Sequence, residues 1–171
     1  MKLLWMHPEY LQVALREILS DLDPADLTLS RLLEQVSVKR ERELFLWELP
    51  LPTPMFGAVM AGPNTDYIVY EQNTPQFHRD HIVLHEIGHL VLGHPVLTVT
   101  EDLKPGTDLR QLLLSAAMRV SRFELPEEQE AEAFATLVQR LVMDRSGLRS
   151  LSSQVATAPG WARLVSGLSL D

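Results

Sequence analysis

The chain has 171 residues, 46% of them hydrophobic, with a formal net charge of −8 and no cysteine. That length suits one domain with a real core, and the acidic balance argues against broad phosphate binding, which needs clustered Lys and Arg. Without cysteine there is no disulfide framework and no thiolate metal site, so any metal must be held by nitrogen and oxygen donors.

The first ten residues lack the apolar length and small-residue cleavage site of a signal peptide. No stretch reaches the roughly 18 apolar residues needed to span a bilayer. The sequence therefore reads as a cytoplasmic protein with no membrane partner and no direct nucleic-acid partner. It reads as one domain over 1–171: N-terminal helices over 1–42, a core over 43–143 and a C-terminal extension over 144–171.

In chain order, Tyr10 to Leu22 carries apolar residues at helical spacing (Leu11, Ala14, Leu15, Ile18, Leu19). A second helix is expected from about Leu27 to Arg40. The basic run Lys39-Arg40-Glu41-Arg42 reads as its solvated end. Glu43 to Leu51 ends in prolines and suits an exposed strand that then leaves a sheet. Met55 to Ala61 is a second short apolar run, and Gly62-Pro63-Asn64-Thr65 a turn. Tyr67-Ile68-Val69-Tyr70 has the strongest strand composition. Together these predict a small three-stranded antiparallel sheet in a mainly helical α+β fold.

A long helix follows from about Phe77 to Leu92, closed by Gly93 and Pro95. Thr107 or Asp108 caps a further helix through Val120. Pro126 opens the first turn of the last, which continues to about Met143. Residues 146–171, rich in Ser, Gly and Leu, read as one or two short helices or a frayed end.

The chemistry concentrates in His85-Glu86-Ile87-Gly88-His89. Histidines four apart on a helix project from one face, one turn apart, so both imidazoles can meet one zinc ion. Glu86, about 100° away around the helix, sits beside that metal, where it can take a proton from a zinc-bound water and pass it to a leaving amine. His78 and His81 extend the same imidazole face, with Val83, Leu84, Ile87, Leu90 and Val91 opposite. Gly88 leaves room for another element to come close. A catalytic zinc needs a third protein ligand and an open position. The acidic segment Glu128-Gln129-Glu130-Ala131-Glu132 is the donor segment, with Glu128, Glu130 and Glu132 as candidates. His81 reads as a structural histidine or a lining of the cleft, and His94, about 180° around the wheel, as a helix-end cap. Tyr67 and Tyr70 read as sheet residues within reach of the cleft.

The segments His81 to His94 and Glu128 to Ala135 resemble the zinc helix and the second motif of the ImmA/IrrE family of metallopeptidases. The order of elements is also similar, over roughly Glu43 to Met143. The resemblance implies a zincin-like, gluzincin-type HExxH fold with Glu128 as third zinc ligand. It implies Glu132, where the family carries Asn or Asp, as a residue bonding a ligand histidine. Asp144 departs from the family's frequent proline. The resemblance further implies a cytoplasmic bacterial regulatory protease acting on a helix-turn-helix repressor. The other reading is a non-cleaving zinc-binding or toxin–antitoxin module that binds a transcription regulator. Glu86 favours the enzyme, because a mere binder has no need of it.

Overall fold

The computed structural model describes residues 8–104, 107–120 and 125–143. The reading of 146–171 as short helices lies outside them.

Helix α1 (Pro8–Leu19) buries Leu11, Leu15, Ile18 and Leu19, one stripe at helical spacing. Tyr10 Oη donates to Leu92 O at 2.8 Å and ties this helix to the far end of the metal-motif helix. A 3₁₀ turn (Pro24–Asp26) leads into α2 (Leu29–Arg40), where Thr28 Oγ1 accepts the Arg31 amide at 3.2 Å as N-cap. The helix stops at Glu41, whose φ of 54° is left-handed.

The basic run at the end of α2 is only in part the solvated end that its sequence suggests: Lys39 and Glu41 are exposed, but Arg40 and Arg42 turn inward. Arg40 Nε donates to Asp66 at 2.6 Å and Arg42 Nε to its other oxygen at 3.0 Å. Arg40 Nη1 also reaches Leu90 O at 3.1 Å. Asp66 is 1% exposed. A buried carboxylate without cations would be very costly, so these two arginines turn inward and fasten α2 to the sheet.

The sheet differs from the expected three-stranded antiparallel one. It has four strands, β1 (Glu43–Leu49), β2 (Gly57–Ala61), β3 (Thr65–Glu71) and β4 (Leu97–Thr98), in the order β1-β3-β2-β4. β2 and β3 form an antiparallel hairpin, while β1 runs parallel to β3 and β4 parallel to β2. The connections explain this. Residues 62–64 make a tight reversal closed by Gly62 N–H donating to Thr65 O at 2.7 Å, which forces β2 and β3 to be neighbours. The connection over 50–56 carries Pro50, Pro52 and Pro54, which cannot donate to a ladder. It is wide enough to bring β2 back two strand positions from β1, and β3 fills the slot between them. β3 is therefore central and buried on both faces at Tyr67, Ile68 and Val69.

After α3 (Gln76–Val91), the chain crosses β4 and enters α4 (Leu109–Val120), capped by Asp108, which accepts the Gln111 amide at 3.1 Å. It ends in α5 (Leu125–Met143). One face of the sheet, through Val59 and Ile68, packs on α1, α2, α3 and α5. The other, through Met60, Tyr67 and Val69, packs on Leu113 of α4 and on Val99. No helix among the described residues is long and apolar enough to cross a membrane.

Candidate metal centre

The centre is built where α3 crosses α5, and small residues make that crossing close. A Cβ placed on Gly88 would lie 3.1 Å from Ala131 Cα and 3.3 Å from the Phe134 ring. Ala131, Phe134 and Ala135 are fully buried. The segment Glu-x-x-Ala-Glu-x-Phe-Ala thus divides its labour. Ala131 allows the approach, Phe134 and Ala135 fill the core, and Glu128 and Glu132 turn to the histidines.

His85 Nε2 lies 3.1 Å from His89 Nε2, and Glu128 comes within 3.3 Å of the first and 3.6 Å of the second. These three residues form the one group among the described residues able to hold a metal ion, with donor atoms within 4.8 Å of one another. Tetrahedral zinc with ligands at 2.0–2.1 Å requires donor separations of about 3.3 Å. The observed spacings bracket that value, and the donors are the nitrogens and oxygens that zinc accepts, so the residues fit the ion.

The acidic candidates separate by geometry. Glu128 alone faces both Nε2 atoms. Glu130 turns away and meets His94 Nε2 at 3.0 Å. Glu132 lies behind His85, 3.4 Å from its Nδ1, and meets His81 Nε2 at 3.1 Å. His81 is engaged on its other side too, with Nδ1 2.8 Å from Gln139 Oε1. That leaves it a strut between α3 and α5, with neither ring nitrogen turned to the cleft. His78 stacks on Phe56, with ring centroids 6.2 Å apart. Tyr67 is buried on the opposite face of the sheet, stacked on Trp47, and its Oη accepts the Leu103 amide. Tyr70 lies under the Arg79 guanidinium.

The electrostatics of the donors differ. Burial, and then the neighbouring His85, push the His89 imidazole down to about 4, so it is neutral with a lone pair to offer. At His85 burial lowers the pKa, but the Glu128 hydrogen bond and the charges of Glu86, Glu128 and Glu132 outweigh it, and the net shift is upward. The hydrogen bond to His85 holds Glu128 below the usual carboxylate range. Burial pushes the Glu86 carboxyl up to about 7 against the opposing effect of His85.

Two contributors escape a reading of the sequence. Gly57, at the start of β2, lies against Glu86: a Cβ there would be 2.7 Å from Glu86 Oε1 and 2.6 Å from Ile82 Cγ2. Only glycine lets the strand come this close. A lone glycine before a short apolar run carries no such signal. The other is His94, whose helical-wheel position is void because α3 ends at Val91. Gly93, with φ of +70°, swings the chain around, and His94 packs edge-on against His89 with centroids 5.1 Å apart.

Comparison of the chain with protein-family models, curated proteins and solved structures finds no match.

Proposed function

We propose that the chain is a zinc-dependent endopeptidase of zincin-like fold, in which His85, His89 and Glu128 hold the metal and Glu86 moves the proton. The observation that carries this reading is the meeting of those three donors at separations of 3.1–3.6 Å, two from α3 and one from α5, beside the buried Glu86 carboxylate of α3. Bound zinc would polarise the scissile carbonyl and lower the pKa of a coordinated water towards neutrality. Glu86 takes the proton of the attacking water and returns it to the leaving amine, two transfers by one carboxylate. Its desolvation, with Gly57 and Ile82 closing over it, suits a group that must both accept and release a proton. A purely regulatory zinc module would need the three ligands but no such carboxylate.

The substrate fits an extended protein segment added to the sheet. β3 is central and cannot accept one. β4 covers β2 only at Met60 and Ala61, so the outer edge of β2 at Gly57 and Ala58 offers backbone groups to a peptide beside Glu86. Such binding asks little of side-chain sequence. Together with the resemblance to the ImmA/IrrE family, it supports cleavage at an exposed linker of a helix-turn-helix repressor. Hydrogen exchange on the zinc-loaded Glu86→Gln variant checks this, with and without a candidate repressor. Added protection at 57–59 and around His85 is expected. Protection confined to α1 or α2 would remove strand addition from the account.

A further inference from the structure

Behind His89 stands a second pair of polar side chains that zinc ligation itself does not use. His94 Nδ1 lies 3.0 Å from His89 Nδ1, and His94 Nε2 lies 3.0 Å from Glu130 Oε2. The His94 side chain is 6% exposed and that of Glu130 28%. The contacts run in a line from α5, through the turn after α3, to the back of His89.

Hydrogen-bond chemistry gives this line a direction. An ionised carboxylate only accepts, so Glu130 Oε2 takes the proton of His94 Nε2. A neutral His94 with its proton on Nε2 has a lone pair on Nδ1. That lone pair can face His89 Nδ1 at 3.0 Å only if His89 donates there. His89 then carries its proton on Nδ1 and keeps its lone pair on Nε2, the atom that faces His85 Nε2 and Glu128.

We propose that His94 and Glu130 are positioning residues that hold the His89 imidazole in its Nδ1–H tautomer and fix its ring orientation, so that Nε2 is presented as a donor. The consequence for zinc rests on the metal-centre reading above, whereas the tautomer does not. His85 is supported from behind in a parallel way by Glu132, but through one direct contact at 3.4 Å instead of a relay. His94 is therefore part of the centre without being a ligand. Its Nε2 is taken by Glu130, and its Nδ1 meets the nitrogen of His89 turned away from Glu128.

Nitrogen-15 NMR of the metal-free, histidine-labelled chain reads the tautomer directly. The wild type is expected to show His89 protonated on Nδ1 and not on Nε2. His94→Phe, which keeps a ring but no acceptor, is expected to move that proton to Nε2 or mix the two forms, and to weaken zinc binding about 10–100-fold in competition with a coloured chelator. His94→Gln, whose amide oxygen can accept from His89, should recover most of the affinity. Glu130→Gln is partly exposed and nearly isosteric, so it tests the line where His94→Phe proves too disruptive to fold. It should weaken zinc several-fold. A wild type with the His89 proton on Nε2 overturns the proposal, as does a folded His94→Phe or Glu130→Gln variant with unchanged tautomer and unchanged zinc affinity. A wild type with the expected tautomer that takes no zinc would uphold this inference and sink the peptidase reading instead.

Discussion

Asp66 is 1% exposed and Glu86 8%, yet the two carboxylates keep very different company. Asp66 is gripped on both oxygens by Arg40 and Arg42. Glu86 accepts no hydrogen bond and makes no ion pair with the described residues. It lies against the space that Gly57 leaves open and the Ile82 methyl, and burial pushes its pKa up to about 7. A buried charge normally needs a partner. Where it has two, it is a rivet joining α2, the sheet and the end of α3. Where it has no bonded partner, and only the nearby His85 opposes the effect of burial, the carboxyl lies beside two histidines that could hold a metal and is a group that chemistry can use. The same chemical group, buried in both places, is structural at Asp66, and at Glu86 it is the group that the proposed function uses for proton transfer.

The largest effect should come from Glu86. Glu86→Gln is expected to reduce peptide hydrolysis by about 10²–10⁴-fold, while zinc stoichiometry and the thermal midpoint stay at or above wild type. A large loss of stability instead would make Glu86 a second rivet and erase the contrast with Asp66.

Asp66→Asn should do the reverse. Leaving two partly buried guanidiniums without their anion costs about 3 kcal/mol, readable by urea denaturation, while the properly folded fraction keeps its zinc affinity. Little change in stability would mean that the buried pairs merely balance their own desolvation.

Gly57→Ala sharpens the comparison from the side of the strand. The added methyl meets Ile82 and Glu86 at 2.6–2.7 Å, and such overpacking costs about 1–3 kcal/mol. Turnover should fall while zinc affinity holds, because the atoms nearest the added methyl belong to Glu86 and Ile82. Gly88→Ala gives the smallest effect. Contacts of 3.1–3.3 Å with Ala131 and Phe134 ease α5 outwards at a cost of about 1 kcal/mol. Here zinc affinity should soften, because the displaced helix carries Glu128.

Helical periodicity and helix caps are local signals, and α1 and α2 stand close to where apolar spacing predicts them, α3, α4 and α5 close to where Gly93, Pro95, Asp108 and Pro126 predict their ends. The pair His85 and His89 is legible for the same reason: both ligands lie on one helix, and a spacing of four determines their common face. A wheel leaves Glu128, Glu130 and Glu132 all open, because it orders residues around one helix but says nothing of how α5 crosses α3. Gly88 and Ala131 fix that crossing. Strand pairing is a property of distant segments, so the parallel β1–β3 pair and the two-residue β4 left little trace. The inward turn of Arg40 and Arg42 has no local trace, because Asp66, their partner, is more than twenty residues away. His94 does close the end of α3, its amide donating to His89 O at 3.0 Å, but the approach of its ring to His89 has no trace on a wheel, because Gly93 turns the chain out of the helix.

The central claim is that His85, His89 and Glu128 form one zinc site. Zinc titration of chelator-stripped protein, with Glu128→Ala and Glu130→Ala in parallel and elemental analysis of the loaded chains, tests it most directly. The account predicts one zinc per wild-type chain, loss of tight binding in Glu128→Ala, and only several-fold weakening in Glu130→Ala. A wild type that takes no zinc at neutral pH, or a Glu128→Ala variant that binds it as the wild type does, would contradict it.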